Sequence, residues 1–253
     1  MTRILAFANQ KGGVGKTTSA INVAASLGAM GKQVLLVDLD PQGNATSGVG
    51  VDKEKADLSS YELLLEDKSC AEVAQKTPFA GLWCIPATIQ LAGAELSLAS
   101  LSGRESILKK KLAAEKRFDY IILDCPPSLG LLTLNGLCAA GELIVPMQCE
   151  YFALEGLSQL MVTVNLVKKM YNPALELTGV ILTMYDGRLN LSLAVAAELR
   201  RYFPGRVFRT TVPRNVRLSE APSHGKPACY YDKNSKGAVA YAEIAAEIEK
   251  RGR

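Results

Sequence analysis

Residues 9–18 read Asn-Gln-Lys-Gly-Gly-Val-Gly-Lys-Thr-Thr, between an apolar run at 4–8 and a helical pattern that begins near Thr17. Strand, glycine-rich turn and helix in that order make a phosphate-binding loop. The usual pattern has a glycine five residues before the Gly-Lys-Thr triplet. Here Gln10 holds that place, and Lys11 follows it. Gly12, Gly13 and Gly15 let the backbone around Val14 turn tightly and aim its N–H groups at an anion, and the helix that follows adds the positive end of its dipole. Lys16 is placed to reach the β- and γ-phosphates of a nucleotide, and the Thr17 hydroxyl to ligate Mg²⁺, with Thr18 completing the binding set. On the loop pattern alone Lys11 reads equally well as an ordinary solvated lysine.

Three aspartates extend the site. Residues 32–44 form a buried-type strand that ends at Asp38 and Asp40, two carboxylates two residues apart. Alternation puts both on one side of the strand, at the carboxyl edge where open α/β sheets bind nucleotides. One can support the water shell of a magnesium ion while the other orients an attacking water. Asp124 ends the apolar run at 120–123 and precedes Cys125-Pro126-Pro127. That setting fits the aspartate that binds Mg²⁺ directly or through water. Each aspartate alone would pass for a strand-end turn former.

With these residues in view, the chain resembles the ParA/MinD group of deviant-Walker ATPases, and within it the small chromosomal ParA proteins of the Soj type. The likeness covers nearly the whole sequence. It is carried by KGGVGKTT at 11–18, LLVDLDPQGNAT at 35–46, IPATIQLAGAE at 85–95, ILDCPPSLGLLTLN at 122–135, QCEYFALEGLSQL at 148–160 and VPRNVRLSEAPSHGKP at 212–227. The resemblance implies ATP with Mg²⁺ and slow hydrolysis. It implies a nucleotide-dependent homodimer in which Lys11 crosses to the partner's nucleotide, as an arginine finger does elsewhere. Asp40 would position water, Asp38 the magnesium shell, and Asp124 would sense the γ-phosphate. Pro213, Arg214 and Asn215, with Met184 nearby, would line the adenine side. Non-specific double-stranded DNA and a ParB-type centromere-binding protein are the implied partners, with Arg188 and Arg217 at positions where relatives contact DNA. A membrane-cycling ATPase of the MinD type is the alternative.

At 253 residues and 48% hydrophobic composition the chain suits one P-loop ATPase domain over 1–253. Apolar runs near 4–8, 33–38, 82–85, 119–123, 142–146, 177–184 and 207–210 alternate with helical patterns, which predicts a doubly wound, mostly parallel α/β sheet. The first run starts at the third or fourth residue, so no N-terminal helix-turn-helix domain is expected. Six cysteines at 70, 84, 125, 138, 149 and 229 form no Cys-x-x-Cys pair, which points away from zinc and toward free thiols in a reducing cytosol. The only histidine, His224, reads as a structural residue in a Ser-His-Gly-Lys-Pro loop.

Residues 188–253 hold 13 Lys or Arg against 6 Asp or Glu, a balance of +7, whereas residues 1–187 carry 16 against 19. Arg188, Arg201, Arg214, Arg217 and Lys226 are candidates for a surface that reads only the phosphate backbone, because no aromatic-interleaved motif or recognition helix accompanies them. Together with the resemblance, that distribution implies a cytoplasmic, nucleoid-associated protein. At the end of the chain, Ile244 and Ile248 stand four apart among Ala and Glu with no larger apolar residue beyond them. Such a stripe is too weak for a stable membrane anchor and suits packing on the domain.

Overall fold

The computed structural model describes residues 2–251. Seven strands form one sheet: β1 (Arg3–Phe7), β2 (Val34–Asp38), β3 (Gln75–Lys76), β4 (Leu82–Ile85), β5 (Tyr120–Asp124), β6 (Glu142–Gln148) and β7 (Glu176–Thr183), in the order β3-β4-β2-β5-β1-β6-β7. Every pairing is parallel except that of β3, a two-residue antiparallel edge beside β4. The connecting helices are α1 (Lys16–Ala29), α2 (Asn44–Gly48), α3 (Ser60–Leu65), α4 (Cys70–Val73), α5 (Leu91–Ala99), α6 (Ile107–Leu112), α7 (Leu131–Ala139), α8 (Ala153–Met170), α9 (Asn190–Tyr202), α10 (Val216–Glu220), α11 (Ala228–Tyr231) and α12 (Lys236–Arg251).

Alternation along the strands builds two cores. Leu5 and Phe7 of β1, Leu36 of β2 and Ile122 of β5 face one side with Val23 and Leu27 of α1 and Tyr241 and Ile244 of α12. Ala6, Leu35, Val37, Ile121 and Leu123 face the other, against Leu132 and Leu137 of α7 and Leu157 and Leu160 of α8. Both faces are covered, so the strands read as continuous apolar runs instead of alternating polar and apolar residues. Ile244 and Ile248 are fully buried in the first core, as the weak C-terminal stripe suggests.

The run at 207–210 is not a strand. Its edge contacts to β7 are single bridges, Val180 with Val207 and Tyr185 with Pro213. Between them the Arg209 and Thr210 N–H groups donate to the Glu247 carboxylate on α12 (3.0 and 2.9 Å), and Phe208 enters the core. The Phe208 N–H still reaches the Val180 carbonyl (3.0 Å), but the Glu247 carboxylate takes the Thr210 donor that would have continued a ladder. The edge strand β3 is too short to show a period in the sequence.

Candidate nucleotide site

The phosphate loop leaves β1 at its carboxyl end and enters α1, beside the carboxyl ends of β2 and β5. Gly13 and Gly15 have φ of 74° and 82°, the left-handed region that glycine reaches without strain. A Cβ on Gly12 or Gly13 would meet nothing within 4 Å, so these positions border open space wide enough for an anion. Two residues that the motif did not point to hold the loop. Asn9 donates through Nδ2 to the Pro146 carbonyl (2.8 Å) and accepts from the Lys11 N–H (3.0 Å), while the Thr183 hydroxyl at the end of β7 donates to the Val14 carbonyl (2.8 Å). Their only sequence signal is a polar residue closing an apolar run. Replacing Gly15 by alanine forces an L-residue into the left-handed region at a cost of about 1–2 kcal/mol. Titration of Gly15→Ala with a fluorescent ATP analogue should therefore show roughly a tenfold weaker affinity; unchanged affinity would reject this loop conformation.

Lys16 is 6% exposed, and its Nζ donates to the Lys11 carbonyl (3.2 Å). Burial lowers its pKa, and the nearby Asp124 and Asp40 carboxylates oppose that shift. The aspartates differ sharply. Asp38, at the end of β2, is fully buried and uses both oxygens: Oδ1 accepts from the Asp40 N–H (3.1 Å), and Oδ2 from the Thr46 N–H (2.8 Å) and hydroxyl (2.7 Å). Burial raises it to about 6 even against these bonds. Asp40 lies past the strand end, half-buried, and accepts from the Gln42 N–H (3.0 Å).

Asp124 is also fully buried, yet both its oxygens lack a hydrogen-bond partner. Burial and the Asp38 charge push its pKa well above the usual carboxylate range; the Thr17 hydroxyl and Lys16 offset this in part, with no hydrogen bond of ordinary geometry from Thr17. An unpartnered buried carboxylate beside a threonine hydroxyl is what a hard divalent cation would satisfy. Among the described residues no cluster of three or more His, Cys, Asp or Glu is arranged to hold a metal. Few protein ligands suit Mg²⁺, which keeps waters and leans on substrate phosphates.

Alongside the loop opens a cleft of about 310 Å³, lined by Gly15, Thr18, Met184, Pro213, Asn215 and Tyr241 among others. The Asn215 Oδ1 is buried there without a partner. Met184 has a φ of 49°, the one non-glycine residue among those described with a positive value. Strain of that kind persists only where the surroundings enforce it; here β7 ends at Thr183 on the phosphate loop, and the Tyr185 N–H is fixed by the Val212 carbonyl (2.9 Å).

A family model described as an AAA domain matches residues 2–177. Across all 253 residues the chain is 53% identical to the sporulation initiation inhibitor protein Soj of Bacillus subtilis, covering 100% of both chains. It is 51% identical to the chromosome-partitioning ATPase Soj of Treponema pallidum, over 99% of this chain and 98% of that one. The chain belongs to the ParA/MinD family of deviant-Walker ATPases, on its Soj/ParA branch. A Mycobacterium smegmatis structure of cobyrinic acid a,c-diamide synthase with bound ADP and magnesium superposes with a TM-score of 0.86 at 42% identity, covering 100% of this chain and 97% of that one. An ATPase using ATP and Mg²⁺ accounts for the open phosphate loop, the unpartnered Asp124 and the adjoining cleft together.

Lys11 is exposed, and its Nζ pairs with the Glu150 carboxylate just beyond β6. Glu150 lies inside one of the sequence signatures but had no role assigned from it. Gln148 extends the link: its oxygen accepts from the Arg214 guanidinium (3.1 Å) when its nitrogen faces Glu150 (2.5 Å). Directly after Glu150, Tyr151 and Phe152 meet edge to face (centroids 5.0 Å apart) and stand 78% and 67% exposed.

The candidate arginines are all on the surface, and three of them pair with an acidic neighbour. Arg188 pairs with Asp186 (2.7 Å), Arg217 with Glu220 (2.7 Å) and Asp232 (3.5 Å), and Arg201 with Glu198 (3.4 Å). Lys226 and Arg214 are exposed. The sequence balance of +7 did not reveal these pairings, which are local and exposed and so hold their arginines only weakly. His224 stacks on Tyr231 (ring centroids 5.0 Å).

Proposed function

We propose that this partitioning ATPase is a nucleotide-gated DNA clamp, with residues 1–253 acting as one unit. The observation that carries the reading is Lys11. Its side chain stands at the mouth of the phosphate site, paired with Glu150 of its own protomer, beside two exposed aromatic rings. Exposed Tyr and Phe beside a charged group that can change partner are the makings of an interface core. When two protomers meet face to face over two nucleotides, each Lys11 leaves Glu150 and places its charge on the partner's phosphates. Asp40, with its second oxygen free of the Gln42 contact, orients the attacking water. Asp38, expected at the magnesium shell, has both oxygens taken by Asp40 and Thr46 and instead holds the turn into α2 in place; Thr17 and Asp124 are the residues that would hold Mg²⁺, which would supply charge neutralisation at the phosphates. Met184, Pro213 and Asn215 take the base, with the unpartnered Asn215 oxygen accepting from an exocyclic amine, and Arg214 bordering the cleft.

Dimer formation would bring two weak basic surfaces to one side. If each protomer neutralises about two to four phosphates, doubling the count steepens the log-log salt dependence in proportion, near −0.9 per phosphate, and joining two sites raises avidity by roughly 10² to 10⁴. Hydrolysis, stimulated by a ParB-type partner, would release the DNA. The experiment is binding to duplex DNA of arbitrary sequence with ATP, ADP or no nucleotide at two salt concentrations. Tight, salt-sensitive binding only with ATP is expected; equal binding in all three states would reject the gate. Arg188→Ala and Arg217→Ala should each weaken binding several-fold and lower the salt slope by about one while the ATP-dependent dimer persists by light scattering; unaltered affinity would move the DNA surface elsewhere. Against the MinD-type alternative stands the burial of Ile244 and Ile248, which leaves the C-terminal stripe no apolar face for lipid.

A further inference from the structure

The signature at 85–95 has no part in the site as described so far, yet it touches both loops that carry the carboxylates. At its start, the Ala87 N–H donates to the Thr46 hydroxyl (2.9 Å), which donates to Asp38 Oδ2 (2.7 Å). The Pro86 carbonyl accepts from the Ser60 N–H (2.8 Å), and the Ser60 hydroxyl donates to the Asp38 carbonyl (2.5 Å). A Cβ on Gly43, in the turn after Asp40, would lie 2.8 Å from the Ala87 carbonyl oxygen. The segment therefore lies hard against the loop from Asp38 to Thr46.

At its other end the segment becomes α5, seated by the fully buried Leu91, Ala94 and Leu98. Glu95, on the same side as Leu91, reaches the start of α7, the helix that follows the loop behind Asp124. Its Oε1 accepts from the Leu132 N–H (3.3 Å), where α7 has no side-chain cap of its own. A carboxylate there satisfies a free N–H and meets the positive end of the helix dipole. Gly130, the residue before α7, has ordinary extended dihedrals (φ −76°, ψ −172°), so glycine is not needed there for conformation. It is needed for room: a Cβ on Gly130 would lie 2.0 Å from Glu95 Oε1. Between the buried Pro126 and this capped end, residues 127–129 are exposed.

We propose that residues 85–95 form a brace joining the two phosphate-sensing loops, with Glu95 as the positioning residue that fixes the far end of the loop behind Asp124. Because one segment contacts both loops, the Asp38–Asp40 turn and the loop behind Asp124 answer to the γ-phosphate together. The inference rests on the assignment of Asp124 to the phosphate site, which Asp124→Asn tests separately.

Four variants test the brace: Glu95→Ala, Glu95→Gln, Gly130→Ala, whose methyl group expels the carboxylate, and the double variant Glu95→Ala with Gly130→Ala. Turnover with MgATP and duplex DNA is measured alongside ADP affinity and melting temperature. Glu95→Ala and Gly130→Ala should each lose at least about tenfold in kcat, with ADP affinity held within about twofold and melting shifted by only a few degrees. Glu95→Gln, whose amide oxygen still accepts from the Leu132 N–H, should keep at least half of the turnover. The double variant should be no slower than either single one, because both remove the same contact. Wild-type turnover in Glu95→Ala would overturn the proposal. So would a Gln variant as slow as the Ala variant, losses that multiply in the double variant, or ADP affinity and melting falling in step with turnover.

Discussion

Asp124→Asn melts several degrees above the parent protein when no nucleotide is present, and turns over MgATP at least about 10²-fold more slowly. The stabilisation follows from the burial of a carboxylate whose two oxygens have no partner. An unsatisfied buried polar group costs about 1–3 kcal/mol, more when charged. An amide of the same shape removes the charge, and for a chain of this size each kcal/mol recovered moves the melting temperature by roughly 2–4 °C. The loss of turnover has the same origin, because an amide is a poor ligand for a hard cation and leaves the phosphate charge less neutralised.

The pH dependence follows in sign. Asp38 is raised to about 6 and Asp124 is raised as well, both chiefly by burial. The folded protein then binds protons more tightly than the unfolded chain. Stability from these groups is fully present below the ordinary carboxylate range near 4; that of Asp38 is lost as pH rises through about 6, and that of Asp124 as pH rises through its own raised pKa. Differential scanning calorimetry without nucleotide should show the advantage of Asp124→Asn growing from pH 5 to pH 7. A variant no more stable than the parent at pH 7 would mean that the carboxylate is satisfied after all.

Lys16→Ala is expected to abolish measurable MgATP binding and turnover, whereas Lys11→Ala keeps nucleotide binding and loses the ATP-dependent dimer. The two lysines are five residues apart and do opposite jobs because of where the fold puts them. Lys16 is buried, donates to the Lys11 carbonyl from inside the loop, and is the cation facing Asp124 and Asp40. Its removal leaves those carboxylates and the incoming phosphates without an opposing charge, a loss of several kcal/mol in a desolvated site, so affinity falls by at least about 10² to 10³. Lys11 is exposed and bonded to Glu150; on the proposed reading, truncating it should leave nucleotide binding within its own protomer intact. Isothermal titration calorimetry and light scattering with ATP separate the two effects. Normal ATP-dependent dimerisation of Lys11→Ala would show that the lysine acts within its own protomer.

How much of this was legible beforehand can be judged residue by residue. The phosphate loop could be read because its chemistry is local: glycines, lysine and threonine act through one turn of backbone, and their spacing is the geometry. The parallel strands could be read because burial on both faces leaves long apolar runs such as Tyr-Ile-Ile-Leu at 120–123. The segment at 207–210, Val-Phe-Arg-Thr, starts as an apolar run but forms no ladder, because Glu247, nearly forty residues away on α12, takes the Arg209 and Thr210 N–H donors. Asn9, Thr183 and Glu150 are single polar residues whose partners lie more than 130 residues distant, and no period or spacing marks them.

Asp38 and Asp124 read alike in sequence, each an aspartate closing a buried strand. Only the packing separates them, since Thr46 and Asp40 reach Asp38 while Asp124 is left with no donor. The sequence by itself determined the long parallel strands, the phosphate loop and the class of ligand, because these follow from residue type at short range and from burial. The tertiary structure alone decided which carboxylate is left for a cation, which lysine faces outward, and which residues brace the loops, because those depend on hydrogen bonds whose two ends are brought together only when the sheet has closed its layers.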